Sequence, residues 1–219
     1  GSNGIGLATA KTLIAAGAKV AITGRDETRL AEASKAIGAH PIHADVALEA
    51  DVVRTYQELF HVFDHLDILV NNAGFGVIKP LVEMDLASFE RVFATNVTGT
   101  MLMAREAARH FVERKSGNII NIGSTAAVRG GAQGTAYYGS KFALRGMTEC
   151  WRAELRPFNV RVVLVNPSEV VTDFYATAGL QQNKENPTKL QSDDIAHAVR
   201  SALEMDDRGF ITELTVFAT

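Results

Sequence analysis

Apolar and polar positions along the chain follow two different periods. Short, β-branched runs bounded by small or polar residues predict buried strands at 19–24, 41–44, 67–71, 118–123, 160–166 and 210–217. Between them, apolar residues spaced three and four apart predict helices at 5–16, 27–37, 49–63, 88–113, 136–156 and 193–204. Ser192, with Asp193 and Asp194 behind it, is a suitable start for the last of these. Strand–helix alternation with crossovers of this length implies a parallel sheet covered on both faces, an α/β fold of three layers. The chain shows no internal repeat and no dividing linker, so residues 1–219 read as a single domain; the polar stretch 181–189 reads as a loop.

The chain opens on Gly1-Ser2-Asn3-Gly4-Ile5-Gly6, the kind of turn that follows the first strand of a dinucleotide-binding unit. A central strand of about six to ten apolar residues is therefore expected ahead of Gly1. Without it, strands 19–24 and 67–71 would each expose an inner edge, and productive folding is not expected. The alternative is that those edges pair directly or are bridged by another segment.

Composition narrows the function classes. A chain of 219 residues that is 47% hydrophobic is suited to one continuous core. A net charge of −3 gives no sign of a nucleic-acid or anionic-membrane partner. No apolar run approaches the roughly 20 residues of a membrane helix, and no signal peptide opens the chain, so the expectation is a cytoplasmic protein. Cys150 is the single cysteine, which excludes intramolecular disulfides; beside Trp151 in an apolar stretch, it is expected to be buried filler.

Several residues suggest chemistry. Gly4-Ile5-Gly6 would let a backbone approach a diphosphate at a helix N-terminus, though a plain tight turn explains it as well. In Gly24-Arg25 no carboxylate ends the strand, and Arg25 is either a ligand for a 2′-phosphate or a solvated surface residue. Asp45 either accepts from an adenine amino group or forms a turn. Asn71-Asn72-Ala73-Gly74 closes an apolar strand, and its small residues either permit close approach of a cofactor or form a plain Asx-type turn. Asn96 falls on the apolar side of a helix, where an amide must find partners or cost roughly 1–3 kcal/mol, so it is either a satisfied structural residue or part of a site. Tyr137 and Lys141 are four apart and share a helix face, where such a pair is either a surface contact or a tuned proton carrier. A phenol of ordinary pKa about 10 becomes a better proton carrier near neutral pH with an ammonium beside it. Ser124 ends an apolar strand, where its hydroxyl could hold the same substrate oxygen.

Taken in order, the Gly-x-Gly turn, Asp45-Val46, Asn71-Asn72-Ala73-Gly74, Asn96-Val97-Thr98-Gly99, Ser124, Tyr137-x-x-x-Lys141 and Asn166-Pro167 resemble the short-chain dehydrogenases/reductases along essentially the whole chain. The resemblance implies a Rossmann-type, doubly wound sheet of seven parallel strands. It implies catalysis by Asn96, Ser124, Tyr137 and Lys141: Tyr137 as general acid/base, Lys141 lowering its pKa and holding the nicotinamide ribose, Ser124 orienting the carbonyl, Asn96 holding a proton-relay water. It places the cofactor on Ser2, Asn3, Gly4, Ile5, Gly6, Arg25, Asp45, Val46, Asn72, Ala73, Gly74, Tyr137, Lys141, Pro167, Val170 and Thr172, with Val170 and Thr172 at the carboxamide and no metal. Asn3 stands where many NADP-preferring relatives carry a second basic residue, and Ser168 replaces a usual glycine.

The implied reaction is NADP(H)-dependent reduction of a carbonyl or oxidation of a secondary alcohol, with NADP(H) preferred over NAD(H) and 3-oxoacyl thioesters among the substrates handled by relatives. The rival is a catalytically silent nucleotide-binding protein of the same fold. Substrate contacts are expected from about 173–190, including Phe174, Tyr175 and Leu180. A homodimer or homotetramer is implied through helices 88–113 and 136–156, with Phe111, Leu144, Met147 and Trp151 as candidate contacts.

Overall fold

The computed structural model describes residues 1–174, 178, 188–206 and 208–219. Among the described residues six parallel strands alternate with helices, most of them close to the expected positions. They are α1 (Gly4–Ala15), β1 (Ala21–Gly24), α2 (Glu27–Ile37), β2 (His40–His43), α3 (Glu49–Val62), β3 (Ile68–Asn71), α4 (Leu86–Phe93), α5 (Thr100–Arg114), β4 (Gly117–Ile122), α6 (Thr135–Leu155), β5 (Val160–Pro167), α7 (Ser192–Leu203) and β6 (Glu213–Val216).

The strands form two parallel sheets, β1-β2 and β3-β4-β5-β6, rather than one sheet of seven. Between β1 and β3 lies a cavity of about 490 Å³, lined by Ala21, Ile22 and Thr23 on one wall and by Ile68, Leu69, Val70 and Asn71 on the other. Among the described residues the amino group of Gly1 donates to the Thr23 carbonyl on the inner edge of β1, but the two inner edges are neither paired with each other nor bridged by another segment.

Alternation along the central strands builds the three layers. Ile119 and Val162 face α3 and α5, in a cluster with Val52, Tyr56, Ala107 and Phe111. Their neighbours Ile120 and Val163 point to the opposite face and pack with Ile195 and Val199 of α7, and with Ile5 of α1. A period of two in a strand buried on both faces requires such apolar runs. A side chain at Gly117 could not be fitted, because its Cβ would fall 2.2 Å from the Phe111 ring.

The 88–113 helix is instead three pieces. Between α4 and α5 the residues Ala94–Gly99 form a wider, π-type turn, a local form often associated with functional sites. The last helix begins at Ser192 but is capped by Gln191, which exchanges hydrogen bonds with Asp194 in a capping box.

Two expectations about side chains are corrected. Cys150 is exposed, since it falls on the outward side of α6. Phe111 and Leu144 are buried inside the protomer at 0% and 2% exposure, so they are core and not a partner's contact surface. Met147 and Trp151 retain partial exposure.

Candidate active site

The long helix α6 carries Tyr137 and Lys141 in its first two turns. Lys141 points inward, and its Nζ donates to the carbonyl oxygen of Ile122, the last residue of β4, at 2.9 Å. Burial lowers its pKa to about 8, because a charge removed from water is disfavoured. The same ammonium lies 5.8 Å from the centre of the Tyr137 ring. Tyr137 itself is half-buried, and the ring of Phe174 leans on it at a centroid distance of 4.9 Å. Phe174 in turn occupies the space above Gly76, where a Cβ would come within 2.8 Å of it.

Asn96 sits inside the π-type turn, 1% exposed, with both ends of its amide hydrogen-bonded. Its Oδ1 accepts from the Phe75 amide at 3.1 Å, and its Nδ2 donates to the Phe75 carbonyl and to Ser140 Oγ, both at 2.9 Å. Ser140 passes the connection on, donating to the Tyr137 carbonyl at 2.7 Å. A point one Cβ bond from Gly74 would lie 3.2 Å from Asn96 Oδ1 and 3.8 Å from Lys141 Nζ. Glycine at 74 thus leaves the space between the amide and the ammonium open.

Ser124 follows β4 directly after Gly123. Its Oγ accepts from the Ala126 amide at 3.1 Å, capping a short 3₁₀ turn, and its own amide donates to Asn166 Oδ1 at 3.2 Å.

The glycine turn enters α1 with Gly4 at φ +53°, a backbone angle that favours glycine. Asn3 caps the helix, its Oδ1 accepting from the Gly4 amide at 2.6 Å, while its Nδ2 donates to Asp173 at 2.8 Å. A Cβ on Gly6 would fall 2.6 Å from Asn72 Nδ2, so this glycine lets the turn and the 71–74 strand end close on each other. Thr172 stands against Gly4, 3.4 Å from the position its Cβ would take. Val170 is buried in the cluster that holds Ile5, and Pro167 ends β5 in the interior. Val46 packs on Gly99.

At the far end of this surface the guanidinium of Arg25 lies 3.7 Å from the Asp45 carboxylate. Asp45 does form a turn, its Oδ1 accepting from the Ala47 amide. Asp26 is turned away, capping α2 through the Arg29 amide. The Ser2 hydroxyl stands 3.1 Å from where a Cβ on Gly24 would be, so a larger residue at 24 would press on it.

All the expected site residues thus lie within the described residues; of the expected substrate contacts, Phe174 reaches Tyr137, whereas Tyr175 and Leu180 fall outside the described residues. Sequence reasoning missed Ser140 and Gly76. A serine directly before Lys141, on the inward side of a helix, is the signal that would have found Ser140. Gly76 left no such signal, because Phe174 is far away in the chain.

The family model for short chain dehydrogenases matches residues 1–183. An oxidoreductase of Staphylococcus saprophyticus is 32% identical over 98% of this chain and 93% of its own length. A metagenomic short-chain oxidoreductase solved with NADP superposes with a TM-score of 0.86 at 31% identity, covering 100% of this chain and 93% of the other. The 3-ketoacyl-(acyl-carrier-protein) reductase of Brucella melitensis, solved with NADH, gives 0.91 at 29% identity, covering 98% and 93%. With a Rossmann-type sheet, a glycine turn closed against Asn72, and a buried lysine one turn from a tyrosine, the chain belongs to the short-chain dehydrogenase/reductase family of oxidoreductases.

Proposed function

We propose that this oxidoreductase reduces a carbonyl, or oxidises the matching secondary alcohol, with NADP(H) preferred over NAD(H). The observation that carries the reading is Lys141, buried, hydrogen-bonded to Ile122 and one helical turn from Tyr137. Lysine is rarely buried without a use for its charge.

The cradle suits a dinucleotide. Gly4, Ile5 and Gly6 present the open amides of α1 to a diphosphate, and Gly6 has no side chain to block it. Ser2 and Arg25 face a 2′-phosphate, Asp45 and Val46 an adenine, and Asn72, Ala73 and Gly74 flank the cofactor's path. Asn3 shapes the turn, and Pro167, Val170 and Thr172 take the carboxamide end. When bound, a reduced nicotinamide supplies the hydride. The remaining work is done by side chains. Tyr137 donates its phenolic proton to the carbonyl oxygen as that oxygen gains electrons, and Lys141 stabilises the phenolate left behind while holding the nicotinamide ribose. Ser124 donates a second hydrogen bond to the same oxygen. Asn96 holds a water in the space beside Gly74, through which Tyr137 is reprotonated by way of Lys141. Oxidation reverses each transfer.

Phe174 gives the substrate side of Tyr137 an apolar wall, which favours a carbonyl flanked by hydrocarbon, as in a 3-oxoacyl thioester. A homodimer or homotetramer would use the outward faces of α5 and α6, with Met147 and Trp151 at their margins. A silent nucleotide binder would have no use for the buried Lys141.

The test is loss of the near-ultraviolet absorbance of NADPH with a panel of ketones and 3-oxoacyl thioesters. Tyr137→Phe is expected to lose at least about a hundredfold in kcat while NADPH still binds. Unchanged turnover by that variant would remove the reading.

A further inference from the structure

Asn166 ends a chain of contacts that leads from Ser124 back to the helix of Tyr137 and Lys141. The Ser124 amide donates to Oδ1 of Asn166, and Nδ2 of Asn166 donates to Oε1 of Glu213, on the neighbouring strand β6, at 2.7 Å. The other carboxylate oxygen of Glu213 lies 3.1 Å from Arg145, one turn beyond Lys141 on α6. Asn166 is 1% exposed, and Gly123 makes room for it: a Cβ there would fall 2.3 Å from Asn166 Oδ1.

The two ends of an asparagine amide have the same shape and opposite hydrogen-bonding character. An ionised carboxylate only accepts, and a main-chain amide only donates. Opposite Glu213 the Nδ2 end is therefore the one that fits, which leaves Oδ1 for Ser124. Reversed, the side chain would set oxygen against carboxylate and N–H against N–H, two buried mismatches. Glu213 decides which way Asn166 points.

We infer that Glu213 is a positioning residue for the reduction proposed above: through Asn166 it fixes the main chain of Ser124, and with it the aim of the Ser124 hydroxyl. Arg145 holds the carboxylate in place. The kinetic consequence rests on the carbonyl-reductase reading; the effect on the Ser124 amide does not.

Glu213→Leu and Glu213→Gln separate the alternatives, because glutamine keeps an acceptor for Asn166 and leucine does not. Hydrogen exchange of the Ser124 amide, followed by NMR, should speed at least about tenfold in the leucine variant and stay near wild type in the glutamine variant. With NADPH and ethyl acetoacetate, Glu213→Leu should lower kcat about tenfold with the KM for NADPH unchanged, as a displaced reacting group does. Glu213→Gln should recover most of that loss. An unchanged Ser124 amide in Glu213→Leu overturns the inference, as does an equal loss of kcat in both variants or a rise in KM alone. If wild type turns over no carbonyl, the functional reading fails and the exchange measurement still decides this one. Should Glu213→Leu not fold, Glu213→Ala carries the same expectations.

Discussion

The Lys141 ammonium reaches the carbonyl of Ile122 at 2.9 Å, tying the helix that carries Tyr137 to the end of β4, two residues before Ser124. The tie places a charge in the interior, where its pKa is lowered from 10.5 to about 8. Between those pH values the folded chain binds fewer protons than the unfolded one, so stability rises with pH across that window. Below about pH 8 the cost of the buried charge is fully present, about 3 kcal/mol at this shift. Denaturant unfolding of wild type and Lys141→Met from about pH 7 to 10.5 should show the difference moving in favour of wild type by up to that amount. A difference that stays flat with pH would mean Lys141 is not a buried charge.

Cofactor choice is expected to follow Arg25. The Arg25 side chain is mostly exposed and pairs with Asp45, so a 2′-phosphate gains a charge-assisted bond there. Arg25→Ala should weaken NADPH binding by roughly 1.5–3 kcal/mol, about tenfold to 150-fold, and leave NADH unaffected. Gly6→Ala should weaken both alike, because its methyl would push on Asn72. Titration of each cofactor by fluorescence checks this. Equal or tighter NADH binding by wild type would reverse the assignment.

Much of this arrangement was legible in the chain, and the exceptions have physical causes. The strand and helix periods placed all six strands and every helix but that at 88–113 to within a few residues, because long apolar runs and i, i+4 faces are local; the short 3₁₀ turns carry no such period. The Tyr137–Lys141 pair was legible for the same reason: four residues on a helix fix the geometry. The single helix expected at 88–113 failed because a π-type turn keeps the apolar period almost intact while inserting Asn96 into the site. Phe111 and Leu144 were read as surface contacts because periodicity shows that a face is apolar, not what covers it. The Asn166–Glu213 contact joins residues 47 apart, and nothing local announces it.

Ser140 should prove structural and kinetic at once. Its hydroxyl is wholly buried between Asn96 Nδ2 and the Tyr137 carbonyl. Ser140→Ala leaves a buried amide hydrogen without a partner, at a cost of about 1–3 kcal/mol. Thermal melting should fall by several degrees. Turnover should fall with it, by less than in Tyr137→Phe, because Asn96 keeps its two bonds to Phe75. A variant with wild-type melting and turnover would show that the Asn96–Ser140 contact supports neither the fold nor the site.

The cavity between β1 and β3 is wide enough for further packing and is bounded by those two strands. Both walls are strand edges, and a strand between them would make one continuous parallel sheet. Its lining is largely apolar, and the buried hydroxyl of Thr9, which also lines it, has no hydrogen-bond partner among the described residues. Unpaired edges and an unfilled core each cost several kcal/mol against a total stability of about 5–15. An extended apolar segment of about six to ten residues, fused ahead of Gly1, is expected to occupy the space and pair with both edges. Thermal melting should then sharpen and rise, amides of Ile22 and Val70 should gain protection from exchange, and NADPH affinity should increase because β1 and β3 carry the two sides of its cradle. A polar segment of equal length, fused in the same way, should do none of this. If the 219 residues alone melt sharply and bind NADPH in the micromolar range, and the apolar segment changes neither, the sheet closes without a central strand and the space is not a strand site.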